Sequence, residues 1–261
     1  MLVAVDCGRS EVKVVHRHGK FAFPAVIGEW RKLNIGKKRE NEIEVVYEGE
    51  RLFIGDLAVR ESEFHRSMMT DTKAHEQTLI LTLVAVYQAN TVGKVSVVTG
   101  LPVELHSDDE KASMKKLITG KHRIEVNGIS RLIQIEEVVV CIEGGGAFWA
   151  NPQRGLVRII DVGAKTVNFL TLKDKEYIDR ESGTLQFGGD TTKTRSAKHL
   201  AERICGEVAK KWSAEDTVIT AGAMANDLIP HFKRHFPNVT AVPDPKYANA
   251  QGFYEIGKRL L

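Results

Sequence analysis

Two stretches of this chain set a carboxylate, a glycine and a hydroxyl at the tip of an extended hairpin. In the first, Asp6-Cys7-Gly8-Arg9-Ser10 separates the apolar runs 1–5 and 12–16. In the second, Asp161-Val162-Gly163-Ala164-Lys165-Thr166 separates 156–160 from 167–172. Backbone N–H groups at such a tip, a glycine that permits close approach and a hydroxyl make a cradle for phosphate oxygens. A carboxylate repels phosphate directly but holds a hydrated Mg²⁺ that neutralises a polyphosphate. Asp6, Gly8, Ser10 and Lys13 supply these parts once, and Asp161, Gly163, Lys165 and Thr166 supply them again. A single Asp-x-Gly also describes an ordinary hairpin turn. Its recurrence on a second strand-to-strand turn favours the phosphate reading and implies two similar lobes.

Two further segments add to this. Val218-Ile219-Thr220 runs into Ala221-Gly222-Ala223-Met224 and then a helical pattern. The small side chains of Gly222 and Ala223 would let a flat base lie against the backbone, although a plain strand-to-helix turn also uses a glycine. Glu143 follows the apolar run 138–142 and precedes Gly144, Gly145 and Gly146. It reads either as a helix-start charge favoured by the dipole or, with the two turns counted, as a carboxylate that orients a water toward a terminal phosphate.

The elements that must hold these residues alternate between strand and helix. Residues 1–60 are extended, with a hairpin expected around Glu48-Gly49 and a small module over about 20–60 that includes the charged stretch 37–44. Leu79, Leu83 and Val86 recur on a helical period, predicting a core helix over 72–90. A buried strand over 95–99 ends at Gly100-Leu101-Pro102, and Ser107-Asp108-Asp109-Glu110 opens a short basic helix as a capping box. Asn127-Gly128 predicts a hairpin between 123–126 and 132–135, followed by a separate strand over 138–142. The second half adds helices over 192–212 and 248–260 and strands over 217–220 and 239–242. Asp190 and the threonines after it are expected to cap the first of these helices.

Composition narrows the functional classes. The 261 residues are 43% hydrophobic and 27% charged, ordinary for a chain with a real core. Thirty-seven basic against 34 acidic residues leave +3, too little for a protein that binds DNA through its own charge. The longest apolar runs fall well short of the ~18–20 residues a membrane span needs, and residues 1–6 lack the basic start of a signal peptide. Three dispersed cysteines and nine histidines show no disulfide or zinc spacing. A cytoplasmic location is expected.

The order of the first turn (6–13), a connecting segment, the second turn (161–168) and the small-residue motif (220–226) resembles the actin-like ATPase superfamily. Within it, the chain is similar to the bacterial plasmid-segregating actins of the ParM and AlfA group, over nearly its whole length. Thr99-Gly100-Leu101-Pro102 resembles a strand-end Leu-Pro of ParM-like proteins, and Glu143 stands where that family keeps the water-orienting carboxylate. The resemblance implies an α/β actin-like ATPase fold, two ribonuclease-H-like lobes around a nucleotide cleft with the second lobe reduced. The first lobe would span 1–140 and the second-lobe core 141–245, with a C-terminal helix at 246–261 returning to the first lobe. ATP would be bound by Asp6, Gly8, Ser10, Lys13, Asp161, Gly163, Lys165, Thr166, Gly222 and Ala223. Asp6 and Asp161 would reach Mg²⁺ through water, and Glu143 would be catalytic.

On this reading ATP hydrolysis times the turnover of a homopolymeric filament that segregates plasmid DNA. DNA would be reached through a centromere-binding adaptor, with no direct contact to nucleic acid or membrane. Two departures stand out. Asn168 occupies the end of the second turn, where the family usually has another Asp. The interval from Asp161 to Gly222 is also short, as in AlfA, which lacks the subdomain called IIB; adenine is then left to a neighbouring subunit or to weak contact. The competing reading is a small-molecule kinase similar to type III pantothenate kinases, which also has two Asp-x-Gly turns. That chemistry needs a general base beside an acceptor hydroxyl, and no second acidic residue suits the role. A nucleotide-dependent scaffold usually adds a membrane-binding tail, whereas 248–261 reads as a core helix.

Overall fold

The computed structural model describes residues 1–34, 41–67, 72–90, 93–191 and 196–261. The charged stretch expected from residue 37 and the helix start expected at residue 192 therefore lie partly outside the described residues. The chain divides into two compact units, one formed by 1–99 and 108–140 with Leu261, the other by 100–107 and 141–260.

The first unit begins with β1 (Leu2–Cys7), β2 (Glu11–His16), β3 (Gly19–Pro24) and β4 (Val26–Glu29). Next come β5 (Ile43–Tyr47), β6 (Glu50–Ile54), α1 (Asp56–Glu61), β7 (Arg66–Ser67) and α2 (Glu76–Gln88). They are followed by β8 (Lys94–Leu101), α3 (Asp108–Ile118), β9 (Gly120–Val126) and β10 (Ile129–Ile142). The strands form one sheet in the order β3-β2-β1-β8-β10-β9-β5-β6-β4-β7. β1 is antiparallel to β2 and parallel to β8.

Both sequence-expected hairpins form on two-residue turns with positive φ: Glu48 and Gly49 at 47° and 85°, Asn127 and Gly128 at 51° and 85°. α2 is buried on all sides from Gln77 to Val86, which suits its lack of a polar face. One expectation is corrected. The strands expected over 132–135 and 138–142 are a single strand, β10. Glu136 and Glu137 interrupt its apolar pattern because both are exposed where the buried alternation changes phase, from Ile133 and Ile135 to Val138 and Val140.

The second unit contains α4 (Gly145–Ala150), β11 (Leu156–Val162), β12 (Val167–Lys173), β13 (Glu176–Tyr177) and β14 (Gly183–Leu185). It continues with α5 (Ala197–Val208), β15 (Val218–Ala221), α6 (Ala225–Phe232), β16 (Val239–Ala241) and α7 (Ala248–Leu260). Its sheet runs β13-β12-β11-β15-β16, with β14 also on β12. β11 is antiparallel to β12 and parallel to β15, repeating the arrangement around β1.

Side chains of β11 alternate between two cores, the pattern of a strand buried on both faces. Ile160 and Val162 pack with Leu200, Ile204, Leu228 and Phe232 of α5 and α6. Val157 and Ile159 pack with Ala147 and Phe148 of α4 and Ala248 of α7. The expected return of the C-terminal helix to the first lobe is therefore corrected: α7 belongs to the second unit, where Gly252 lies against Gly146 of α4.

Candidate functional site

The two Asp-Gly turns share one backbone construction. In the first, Cys7 pairs with Val12 and Asp6 with Lys13, and the Gly8 N–H donates to the Glu11 carbonyl at 3.1 Å. In the second, Val162 pairs with Val167 and Asp161 with Asn168, and the Gly163 N–H donates to the Thr166 carbonyl at 3.0 Å. The carboxylates thus occupy the same register position two residues before the glycine, and both are buried, Asp6 to 6% exposure and Asp161 to 7%. The repetition is one of backbone. Lys13 and Asn168 stand at equivalent positions, and the hydroxyls of Ser10 and Thr166 do not.

Around the first turn the surroundings are cationic. The Lys13 ammonium lies 3.4 Å from Asp6 Oδ2. Lys73, 3% exposed, donates from Nζ to the Cys7 carbonyl at 2.9 Å. The Ala25 N–H holds the far end of the turn through the Ser10 carbonyl at 2.9 Å. Lys73 carried no sequence signal, since a lone lysine ahead of a long apolar helix resembles any solvated helix start.

Around the second turn the partners are amides and carboxylates. Asn249 of α7 donates from Nδ2 to Asp161 Oδ2 at 2.9 Å and accepts from the Gly144 N–H at 2.9 Å. It therefore links the carboxylate to the segment that carries Glu143. The Glu143 N–H donates to the Leu101 carbonyl at 2.8 Å, tying that residue to the Leu-Pro strand end. Glu143 is 7% exposed, and its Oε2 accepts from Asn168 Nδ2 at 3.4 Å.

The turn is braced from behind by Gly189 and Asp190, whose N–H groups donate to the Gly163 and Ala164 carbonyls at 2.9 and 2.8 Å. This corrects the expected cap. Ser196 is the N-cap of α5, accepting from the His199 N–H, and Asp190 serves the turn. Lys165 and Thr166 are partly exposed on the turn.

The small-residue motif lies in the same unit, because β15 is the strand beside β11. Gly222 has φ of +96°, and a Cβ there would stand 2.1 Å from the Val162 carbonyl oxygen. Glycine is thus required both by conformation and by the approach of the second turn's strand. Ala223 is exposed beside it.

The donor set fits Mg²⁺ held through water. Among the described residues no three acidic, histidine or cysteine side chains converge on a common point. Each turn instead offers one buried carboxylate, the number Mg²⁺ uses when it keeps most of its waters and binds phosphate oxygens. No helix among the described residues is long and apolar enough to cross a membrane.

Paired strand-turn-strand units, each with the order antiparallel neighbour, first strand, parallel neighbour, define an actin-type fold, and solved structures agree. The AlfA filament bound to AMPPNP superposes with a TM-score of 0.82 at 18% identity, covering 99% of this chain and 97% of that one. Ta0583, an archaeal actin homologue, gives 0.83 at 20% identity over 100% and 99%. A 15-stranded ParM filament from Clostridium botulinum gives 0.82 at 20% identity over 99% of each chain. The family model described as the actin-like proteins N-terminal domain matches residues 4–146, and the chain belongs to the actin-like proteins. No curated protein sequence matches it.

Proposed function

We propose that this protein is an ATP-hydrolysing actin-like protein that polymerises into filaments and segregates plasmid DNA through a centromere-binding adaptor. The observation that carries the reading is the duplicated turn, with a buried aspartate at the same register position in each copy. The existence of AlfA and ParM filaments on the same fold supports polymerisation.

In the mechanism, the N–H groups of Arg9, Ser10, Ala164, Lys165 and Thr166 and the hydroxyls of Ser10 and Thr166 hold phosphate oxygens, Gly8 and Gly163 permit the close approach, and Lys13 adds positive charge. Bound Mg²⁺ would neutralise the polyphosphate, and Asp6 and Asp161 would hold it through water. Glu143 accepts a hydrogen bond from a water and aims it at the terminal phosphorus, a positioning role typical of phosphoryl transfer. Gly222 and Ala223 leave room for the base. Filaments assemble with ATP bound, and hydrolysis loosens them.

The test combines phosphate release with sedimentation in ATP and Mg²⁺. Asp161→Ala and Asp6→Ala should lose hydrolysis, each removing charge-assisted contacts worth ~1.5–3 kcal/mol. Glu143→Ala should still assemble, and its filaments should outlast wild-type ones when ATP is limiting. Wild-type hydrolysis in both aspartate variants would end the nucleotide reading, and wild-type hydrolysis in Glu143→Ala would remove that residue's role.

A further inference from the structure

Asn168, which is paired with Asp161 at the second turn, sits inside a directed hydrogen-bond chain. Asn168 on β12 is paired in register with Thr184 on β14. The Thr184 hydroxyl donates to Asn168 Oδ1 at 2.8 Å and accepts from the Glu104 N–H at 3.5 Å. Asn168 Nδ2 then donates to Glu143 Oε2 at 3.4 Å. Asn168 and Thr184 are 3% and 8% exposed, so water offers little competition.

Only one orientation of the amide satisfies this set. A carbonyl oxygen cannot donate, so Thr184 must give its proton to Oδ1 and take the Glu104 N–H on its lone pair. Turning the amide over would set the Asn168 oxygen against a carboxylate oxygen, acceptor against acceptor. An aspartate at 168 would place a second negative charge there instead.

We infer that Asn168 and Thr184 are positioning residues for Glu143: the Thr184 hydroxyl locks the Asn168 amide so that its N–H₂ faces Glu143 and fixes the carboxylate's direction. The inference rests on the reading of Glu143 as the water-orienting group. Neither residue touches nucleotide in this scheme, so the effect belongs to turnover and not to binding. Misaiming a water by a fraction of an ångström to one ångström costs up to ~100-fold in rate.

The experiment measures turnover above the critical concentration and the affinity for a fluorescent ATP analogue on the same preparations. Asn168→Leu should lower turnover by about ten- to a hundredfold while analogue affinity stays within about twofold. Thr184→Val, which removes the hydroxyl at nearly constant shape, should lower turnover less, and Thr184→Ser should restore it. The serine variant guards against a misfolded valine variant, since it keeps the donor and loses only a methyl. Wild-type turnover in Asn168→Leu and Thr184→Val, with Glu143→Ala inactive, would overturn the positioning inference alone. Wild-type turnover in Glu143→Ala would overturn the underlying reading and the inference with it. Parallel loss of turnover and affinity in Thr184→Val, unrescued in Thr184→Ser, would show a structural role only and also overturn it.

Discussion

Gly252→Ala sets two effects of opposite sign against each other on α7. Alanine is intrinsically better than glycine in a helix interior by about 1 kcal/mol, so propensity alone makes the change stabilising. Packing opposes it. A Cβ at 252 would stand 1.8 Å from the Gly146 carbonyl oxygen and 2.4 Å from its carbon. Ordinary contact needs about 3.5 Å, so one helix must retreat by roughly 1.5 Å, and backbone cannot turn aside as a flexible side chain can. Overpacking of this kind costs ~1–3 kcal/mol. Retreat of α7 also carries Asn249 away from Asp161 and Gly144, whose two bonds are each 2.9 Å long. Losing the bond to the carboxylate adds ~1.5–3 kcal/mol.

The net expectation for Gly252→Ala is a loss of about 1.5–5 kcal/mol, together with weaker nucleotide binding because Asp161 loses its anchor. Gly206 is the matched control: it lies in α5, and a Cβ there would meet nothing within 4 Å. Gly206→Ala should therefore stabilise by ~0.5–1 kcal/mol. Urea unfolding of the three proteins, read by circular dichroism and by fluorescence, measures both signs. Gly252→Ala at or above wild-type stability would refute the claim that α4 and α7 meet backbone to backbone.

The acid limb of stability should depend on Arg158, which is buried between Glu181 and Asp216, with Nε donating to Asp216 at 2.8 Å. The hydrogen bond from Arg158 holds the Glu181 carboxyl below its usual range, outweighing the opposing effect of burial. A depressed carboxyl stabilises above its unfolded pKa and loses that contribution as pH falls through the folded value. Urea midpoints should therefore fall below about pH 4.5, and Arg158→Met should flatten that part of the profile; an unchanged profile would refute the coupling. For the cysteines, burial pushes the thiols of Cys141 and Cys205 up to about 12, with the Glu202 charge adding at Cys205. Ellman's reagent at about pH 8 should react slowly with both in native protein and fully in denaturant, because thiolate is the nucleophile; rapid labelling of either would contradict its raised pKa.

What the sequence disclosed and what it hid follow from the range of the signals. Both turns were legible because a turn and its two strands are local, and the repeat of Asp-x-Gly between apolar runs is visible without any tertiary information. Gly222 was legible for the same reason. Asn249, Lys73 and Thr184 were not, since each reaches its partner from a distant stretch of chain and nothing beside it in sequence marks it. The role of Asp190 was hidden because it braces the turn through its backbone N–H, which no residue type announces. The continuous β10 was hidden because apolar alternation fails at Glu136 and Glu137, although the extended backbone runs on through both.

The two turns show how one backbone acquires two electrostatic roles. At the position paired with each aspartate, the first copy has Lys13, which lies against Asp6, while Lys73 adds a second cation at the Cys7 carbonyl. The second copy has Asn168 there, and its amide turns to Glu143, leaving Asp161 to be held by Asn249. The first turn thus carries positive charge suited to phosphate oxygens. The second carries two buried carboxylates, Asp161 and Glu143, and each accepts a hydrogen bond from an asparagine amide. A lysine at 168 would have paired with a carboxylate, as Lys13 does with Asp6. An aspartate there would have set like charges side by side. Asparagine avoids both, and Thr184 is what makes its orientation definite.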